Sequence, residues 1–139
     1  MRASASASAG LFLIAALGAS CGADPEPPQL GIAFQDRALL EEAAAIAFYF
    51  YDEPIACTTL RATTPRPRAA LGPYQEALTP ETQSNGLLFS LDRVPVGTYV
   101  VLADALTAGG GVIGSACAEG QQIYEHQRSN IFLTVSRNP

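Results

Sequence analysis

Apolar and polar positions alternate with period two along much of the chain, and that rhythm predicts strands. In AIAFYFYDEP, Ile46, Phe48 and Phe50 fall on one side and Ala47, Tyr49 and Tyr51 on the other, until Asp52-Glu53-Pro54 ends the run. Large side chains on both sides predict an interior strand over 45–51, or one whose second face is covered by loops. Leu87, Phe89 and Leu91 alternate with Leu88, Ser90 and Asp92, after which Val94-Pro95-Val96-Gly97 turns the chain into a strand over 98–106. Gly109-Gly110-Gly111 reads as a tight connection into VIGSACAEG, residues 112–120, where period two puts Ile113, Ser115 and Cys117 on a shared side. A final strand fits IFLTVS, 131–136, beyond the polar loop GQQIYEHQRSN, and a further one fits LGIAF, 30–34.

Helical signals are short. RALLEEAAAIA, residues 37–47, combines Ala, Leu and Glu, which lose little entropy in a helix. Residues 58–86 are the least regular, with a short helix fitting Tyr74–Leu78 and a turn at Ser84-Asn85-Gly86. Strands separated by tight turns, without intervening ten-residue helices, argue against a parallel α/β sheet. They predict a mainly β fold: an antiparallel Greek-key β-sandwich of six or seven strands with a short helix.

The N-terminal segment has a different logic. MRASASAS carries one cation, Arg2, and AGLFLIAALGA, residues 9–19, has no polar side chain. Eleven helical residues span about 16 Å, half of a ~30 Å hydrocarbon core, which suits a secretory signal rather than a membrane anchor. Two endings fit. Cleavage near Ala19–Ala23 leaves a soluble periplasmic or secreted protein. LGASC, residues 17–21, instead resembles the bacterial lipoprotein signal, with small Ala19 and Ser20 ahead of a cysteine that receives lipid; Gly18 stands where such signals usually carry an aliphatic residue. The expected organisation is a signal peptide over 1–20, a lipidated Cys21 with a proline-rich tether over 21–29, and a β-sandwich domain over 30–139. Pro25, Pro27 and Pro28 favour an extended, partly stiff standoff.

Cysteine parity points the same way. Cys21, Cys57 and Cys117 are the only cysteines, and an exported chain leaves an odd thiol reactive. Lipid on Cys21 removes the odd one and leaves Cys57 and Cys117 to form a disulfide. Beyond residue 20 the chain holds 13 acids against seven arginines, a formal charge of −6, and lysine is absent. That balance opposes nucleic-acid binding and electrostatic attachment to anionic lipid. Membrane contact is therefore expected only through lipid on Cys21.

FSLDRVPVGTYVVLADAL followed by GGGVIGSAC resembles the transthyretin-like or carboxypeptidase-regulatory-like sandwich domains over residues 87–119. The resemblance implies turn and structural roles for Val94, Pro95, Gly97 and Tyr99. It also implies an accessory, transport, adhesive or structural module.

Candidate chemistry is thin. His126 is the single histidine, and neither a zinc ligand set nor a calcium loop is spelled out. Asp52-Glu53 reads as a strand-end loop. Neither a cofactor nor a metal is expected. Glu125 is adjacent to His126 and so badly placed to orient it, and no serine sits in a nucleophile elbow. Gly109–Gly111 has no lysine and no following helix, so it is not a phosphate loop. Arg66-Pro67-Arg68, the one basic cluster, reads as a solvated loop. Tyr49, Tyr51, Tyr74, Tyr99 and Tyr124 read mainly as core, with a contact patch as the alternative. The expected function is a non-enzymatic envelope lipoprotein acting as a structural or protein-interaction module, with an unidentified envelope partner. The alternatives are an extracytoplasmic ligand- or carbohydrate-binding domain and, more weakly, a hydrolase.

Overall fold

A single sheet of seven strands, in the order β3-β2-β5-β6-β7-β1-β4, organises the computed structural model, which describes residues 27–125 and 127–138. In chain order the elements are β1 (Gln29–Phe34), α1 (Arg37–Glu42), β2 (Ala45–Asp52), α2 (Cys57–Ala62) and β3 (Leu71–Ala77). There follow α3 (Pro80–Ser84), β4 (Leu88–Ser90), β5 (Gly97–Leu106), β6 (Val112–Ile123) and β7 (Asn130–Arg137). The fold is thus mainly β with short helices. The leader, Cys21 with most of its tether, and His126 lie outside the described residues.

The expected antiparallel two-sheet sandwich is corrected in two respects. First, β1 and β7 run parallel, from Gln29 opposite Asn130 to Phe34 opposite Val135, while the other pairs are antiparallel. Second, the sheet is continuous and curls into a near-barrel. Phe48 of β2 meets Phe89 of β4, strands far apart in the sheet order, with ring centroids 5.6 Å apart. The continuity depends on β6 touching β7, which it does at Gly114 opposite Arg137 and Ser115 opposite Ser136. A Cβ on Gly114 would lie 2.7 Å from the Ser136 carbonyl oxygen, so only glycine lets the two backbones approach there.

Alternation explains the inner core. Phe48, Phe50, Val101, Ala103, Leu30, Leu133 and Phe89 bury their inward side chains together, with Leu39 of α1 among them. The loop after β4 closes with Tyr99, whose hydroxyl donates to the Pro95 carbonyl at 2.9 Å. Its ring also stacks edge-on against Phe50 at 5.5 Å.

Local expectations shift in three places. The helix predicted over 37–47 stops at Glu42. Asp36 caps its start by accepting from the Leu39 amide at 2.7 Å, but Ala44 donates to Leu106 at 2.7 Å, so strand pairing with β5 claims the chain from there. The helix placed at Tyr74–Leu78 is instead strand as far as Ala77, the second half of β3, an edge strand that pairs with β2 from Leu71 to Ala77 and tolerates Pro73 within it. Finally, Ile113 and Cys117 do not share a side. The register shifts between Ala105 opposite Gly114 and Leu106 opposite Val112, leaving Ile113 as the extra residue of a bulge. Ile113 packs toward the inner core, while Cys117 joins a cluster on the other face of the sheet.

Candidate functional site

The outer face of β2, β5 and β6 presents Tyr49, Tyr51, Val100, Leu102, Asp104, Ser115 and Cys117, and residues 53–73 fold over it. Leu60 of α2 is fully buried against Tyr51, Val100 and Leu102. Cys57 and Cys117 form a disulfide across this layer, with Cα atoms 5.8 Å apart. No side chain of the preceding residue caps α2. Glu119 of β6 does so instead, its carboxylate accepting from the Cys57 amide at 2.8 Å, where the first turn leaves donors unpaired. Glu53 accepts from the Gly120 amide at 3.1 Å, tying the segment down beside it.

At the centre of the layer is Asp104, 2% exposed although it carries a charge. Arg66 reaches across from the loop, its Nη1 donating to Asp104 Oδ2 at 2.5 Å. That hydrogen bond holds the Arg66 guanidinium further above its ordinary pKa, against the opposing effect of burial. Asp104 Oδ1 is buried and has no hydrogen-bond partner among the described residues. An orphaned buried acceptor costs about 1–3 kcal/mol, so stability alone gives little reason to keep a carboxylate here. Burial raises the Tyr49 phenol above its usual pKa, and the Asp104 charge raises it further. Burial raises Tyr51 too, with Arg66 opposing. The Tyr51 hydroxyl donates to the Pro67 carbonyl at 3.1 Å, which fixes the loop that delivers Arg66.

Two clefts meet at Arg66. One, of about 290 Å³, runs between Tyr49, Tyr51 and the Pro67–Ala69 and Gly72–Pro73 segments. The other, of about 380 Å³, is lined by Arg61, Arg66, Ser115, Ser136, Arg137 and Asn138. Ser115 donates to Asn138 Oδ1 at 2.9 Å. Arg137 is engaged elsewhere, with Glu42 at 2.8 Å and Asp36 at 3.7 Å. The recess therefore combines the exposed Arg61, the paired Arg66 and neutral hydroxyl and amide groups, a set of donors that can hydrogen-bond an anion.

The residues singled out in the sequence fall in several places. Cys57 and Cys117 are brought together. Val94, Pro95, Gly97 and Tyr99 gather at the far end of β5, on the inner side, away from Arg66; Val94 packs on the core and Gly97 lies under the Tyr99 ring. Tyr51 and Tyr99 are buried, Tyr49 and Tyr74 half-buried, and Tyr124 exposed, so no three tyrosines form one exposed patch among the described residues. Cys21 and His126 lie outside those residues. Arg66, read as part of a solvated loop, is instead half-buried in an ion pair. The missed signal is Asp104 itself, a lone acid inside the apolar run YVVLADAL. Among the described residues no cluster of three or more His, Cys, Asp and Glu could hold a metal ion, and no helix is long and apolar enough to cross a membrane.

Compared with models of protein families, with curated proteins and with solved structures, the chain has no match. The fold itself places it no more narrowly than a small, mainly β domain.

Proposed function

We propose that this chain is an exported, lipid-anchored module of the bacterial cell envelope that acts by binding rather than by catalysis. The observation carrying the proposal is the Cys57–Cys117 disulfide. Such bonds persist in oxidising compartments, which fits the signal-like leader, and this one accounts for every cysteine except Cys21 in LGASC. The proline-rich composition of residues 21–29 suits a spacer between the lipid and the domain. The resemblance to transthyretin-like domains belongs to the same proposal, supported by the Tyr99–Pro95 hydrogen bond that closes the VPVGTY turn. The partner is an envelope protein.

Intact mass analysis of membrane and soluble fractions, with thiols alkylated, tests this reading. The expected product begins at Cys21, carries two or three acyl chains and has no free thiol. A soluble chain beginning after Cys21, or an unprocessed one, overturns the anchor.

A second reading, an extracytoplasmic ligand-binding domain, is favoured by the two clefts at Arg66. It is compatible with either fate of Cys21.

A further inference from the structure

We propose that the clefts at Arg66 bind an acidic sugar, a sugar ring bearing a carboxylate, with Arg61 and Arg66 holding the carboxylate. The inference deepens the ligand-binding reading and rests on it, and it is independent of lipidation.

Charge placement is the first argument. Beyond residue 20 the chain is acidic, yet four of its seven arginines, Arg61, Arg66, Arg68 and Arg137, border these two clefts. No carboxylate lines either one. Arg66 is matched by Asp104, and Arg137 by Glu42 and Asp36, so Arg61 and Arg68 supply the unmatched positive charge that draws anions to the clefts of this otherwise acidic domain.

The second argument is donor supply. Arg66 uses Nη1 on Asp104, which leaves the other edge of its fork. Arg61, exposed at the end of α2, has no ion pair or side-chain hydrogen bond among the described residues. Arg137 is already neutralised by Glu42 and Asp36 and is not assigned to the ligand. Arginine forks match a carboxylate in two-point contact, and Arg66 is held in place before the ligand arrives, so less side-chain freedom is lost on binding.

The third argument selects a sugar over a bare anion. Beside the arginines, Ser115, Ser136 and Asn138 supply neutral groups that both donate and accept, as ring hydroxyls require. The other cleft at Arg66 is lined by Tyr49, Pro67 and Pro73, side chains whose apolar surfaces suit the face of a sugar ring. About 380 Å³ on one side and about 290 Å³ on the other accommodate one or two rings.

The test is titration of the disulfide-intact domain with methyl glucuronide, its neutral counterpart methyl glucoside, acetate and inorganic phosphate, followed by backbone amide chemical shifts. Methyl glucuronide is expected to move the amides of residues 61, 66 and 115 and to bind at least about tenfold more tightly than methyl glucoside, the worth of one charge-assisted hydrogen bond. Added salt weakens that binding. Arg61→Gln, at an exposed position, is expected to cost about tenfold in affinity with the folded spectrum unchanged, whereas Arg37→Gln, on α1, costs nothing. Equal binding of the glucoside and the glucuronide overturns the acidic-sugar inference while leaving a ligand-binding domain. Equal binding of acetate or phosphate overturns the sugar component in favour of a bare-anion site. No shift with any of the four at millimolar concentration overturns both the inference and the ligand-binding reading.

Discussion

Strand β5 buries both of its faces, and the two are covered by different means. Tyr99, Val101, Ala103 and Ala105 point into the near-barrel, where other strands of the same sheet meet them with Phe48, Phe50, Phe89 and Leu133. Val100, Leu102 and Asp104 point outward and are covered by a loop-rich segment that contributes Leu60, a disulfide and Arg66. The inner layer is apolar, continuous and held by many strands. The outer layer is small and depends on a few long-range ties: Cys57 to Cys117, Glu119 to the start of α2, Tyr51 to Pro67, Arg66 to Asp104. A sheet that closes on itself makes its own inner core. Its outer face must borrow a cover, and a borrowed cover is where charge and clefts can be accommodated.

Substitutions on the two sides should separate them. Phe48→Ala removes a fully buried inner ring and its contact with Phe89, and is expected to cost about 3–5 kcal/mol, exposing every protected amide together in denaturant titration. A loss confined to a few strands would show that the inner layer is not one cooperative unit. Reducing the disulfide opens a 60-residue loop worth up to ~4 kcal/mol on the chain-entropy account. Here hydrogen exchange should accelerate first at residues 57–69, while β5 and β7 retain protection. Uniform acceleration would mean that the cover and the inner core unfold together.

Smaller still is Arg66→Met. It strands the Asp104 carboxylate, at a cost of about 1–3 kcal/mol because Arg66 itself is 28% exposed. The double variant Arg66→Met/Asp104→Leu should recover most of that loss in thermal unfolding. Failure to recover would show that the pair stabilises the layer outright. The smallest effect is on α1. The Arg137 hydrogen bond lowers the Glu42 pKa, so its contribution is complete above the unfolded value of 4.5 and disappears as pH falls through the folded one. Melting temperature should therefore drop slightly on acidification below about pH 4.5, and Glu42→Gln should flatten that part of the curve.

The inner layer was largely legible because period two is a local signal. The strand at 45–51, the alternation of Leu87, Phe89 and Leu91, and the turn before Tyr99 each follow from neighbouring residues. Large residues on both sides of β2 also pointed to a covered second face, which residues 53–73 provide. The disulfide followed from counting. Strand direction and closure did not, since nothing within β1 or β7 records that they lie parallel. A single bulged residue, Ile113, reversed the side on which Cys117 lies. The Arg66–Asp104 pair joins positions 38 apart through a loop of irregular conformation. Its only trace was one acid among apolar neighbours.

The parallel pairing of β1 with β7 has a mechanical consequence. The ladder has six opposed residue pairs, from Gln29 opposite Asn130 at one end to Phe34 opposite Val135 at the other, and the chain enters it at Gln29 and leaves β7 at Arg137. A pull applied at Pro27 and opposed at Asn138 therefore loads those backbone hydrogen bonds along the strands, all at once, instead of peeling them in turn. The domain should resist tension along that line far better than tension applied across it, at β4 for instance, whose three residues can be unzipped singly.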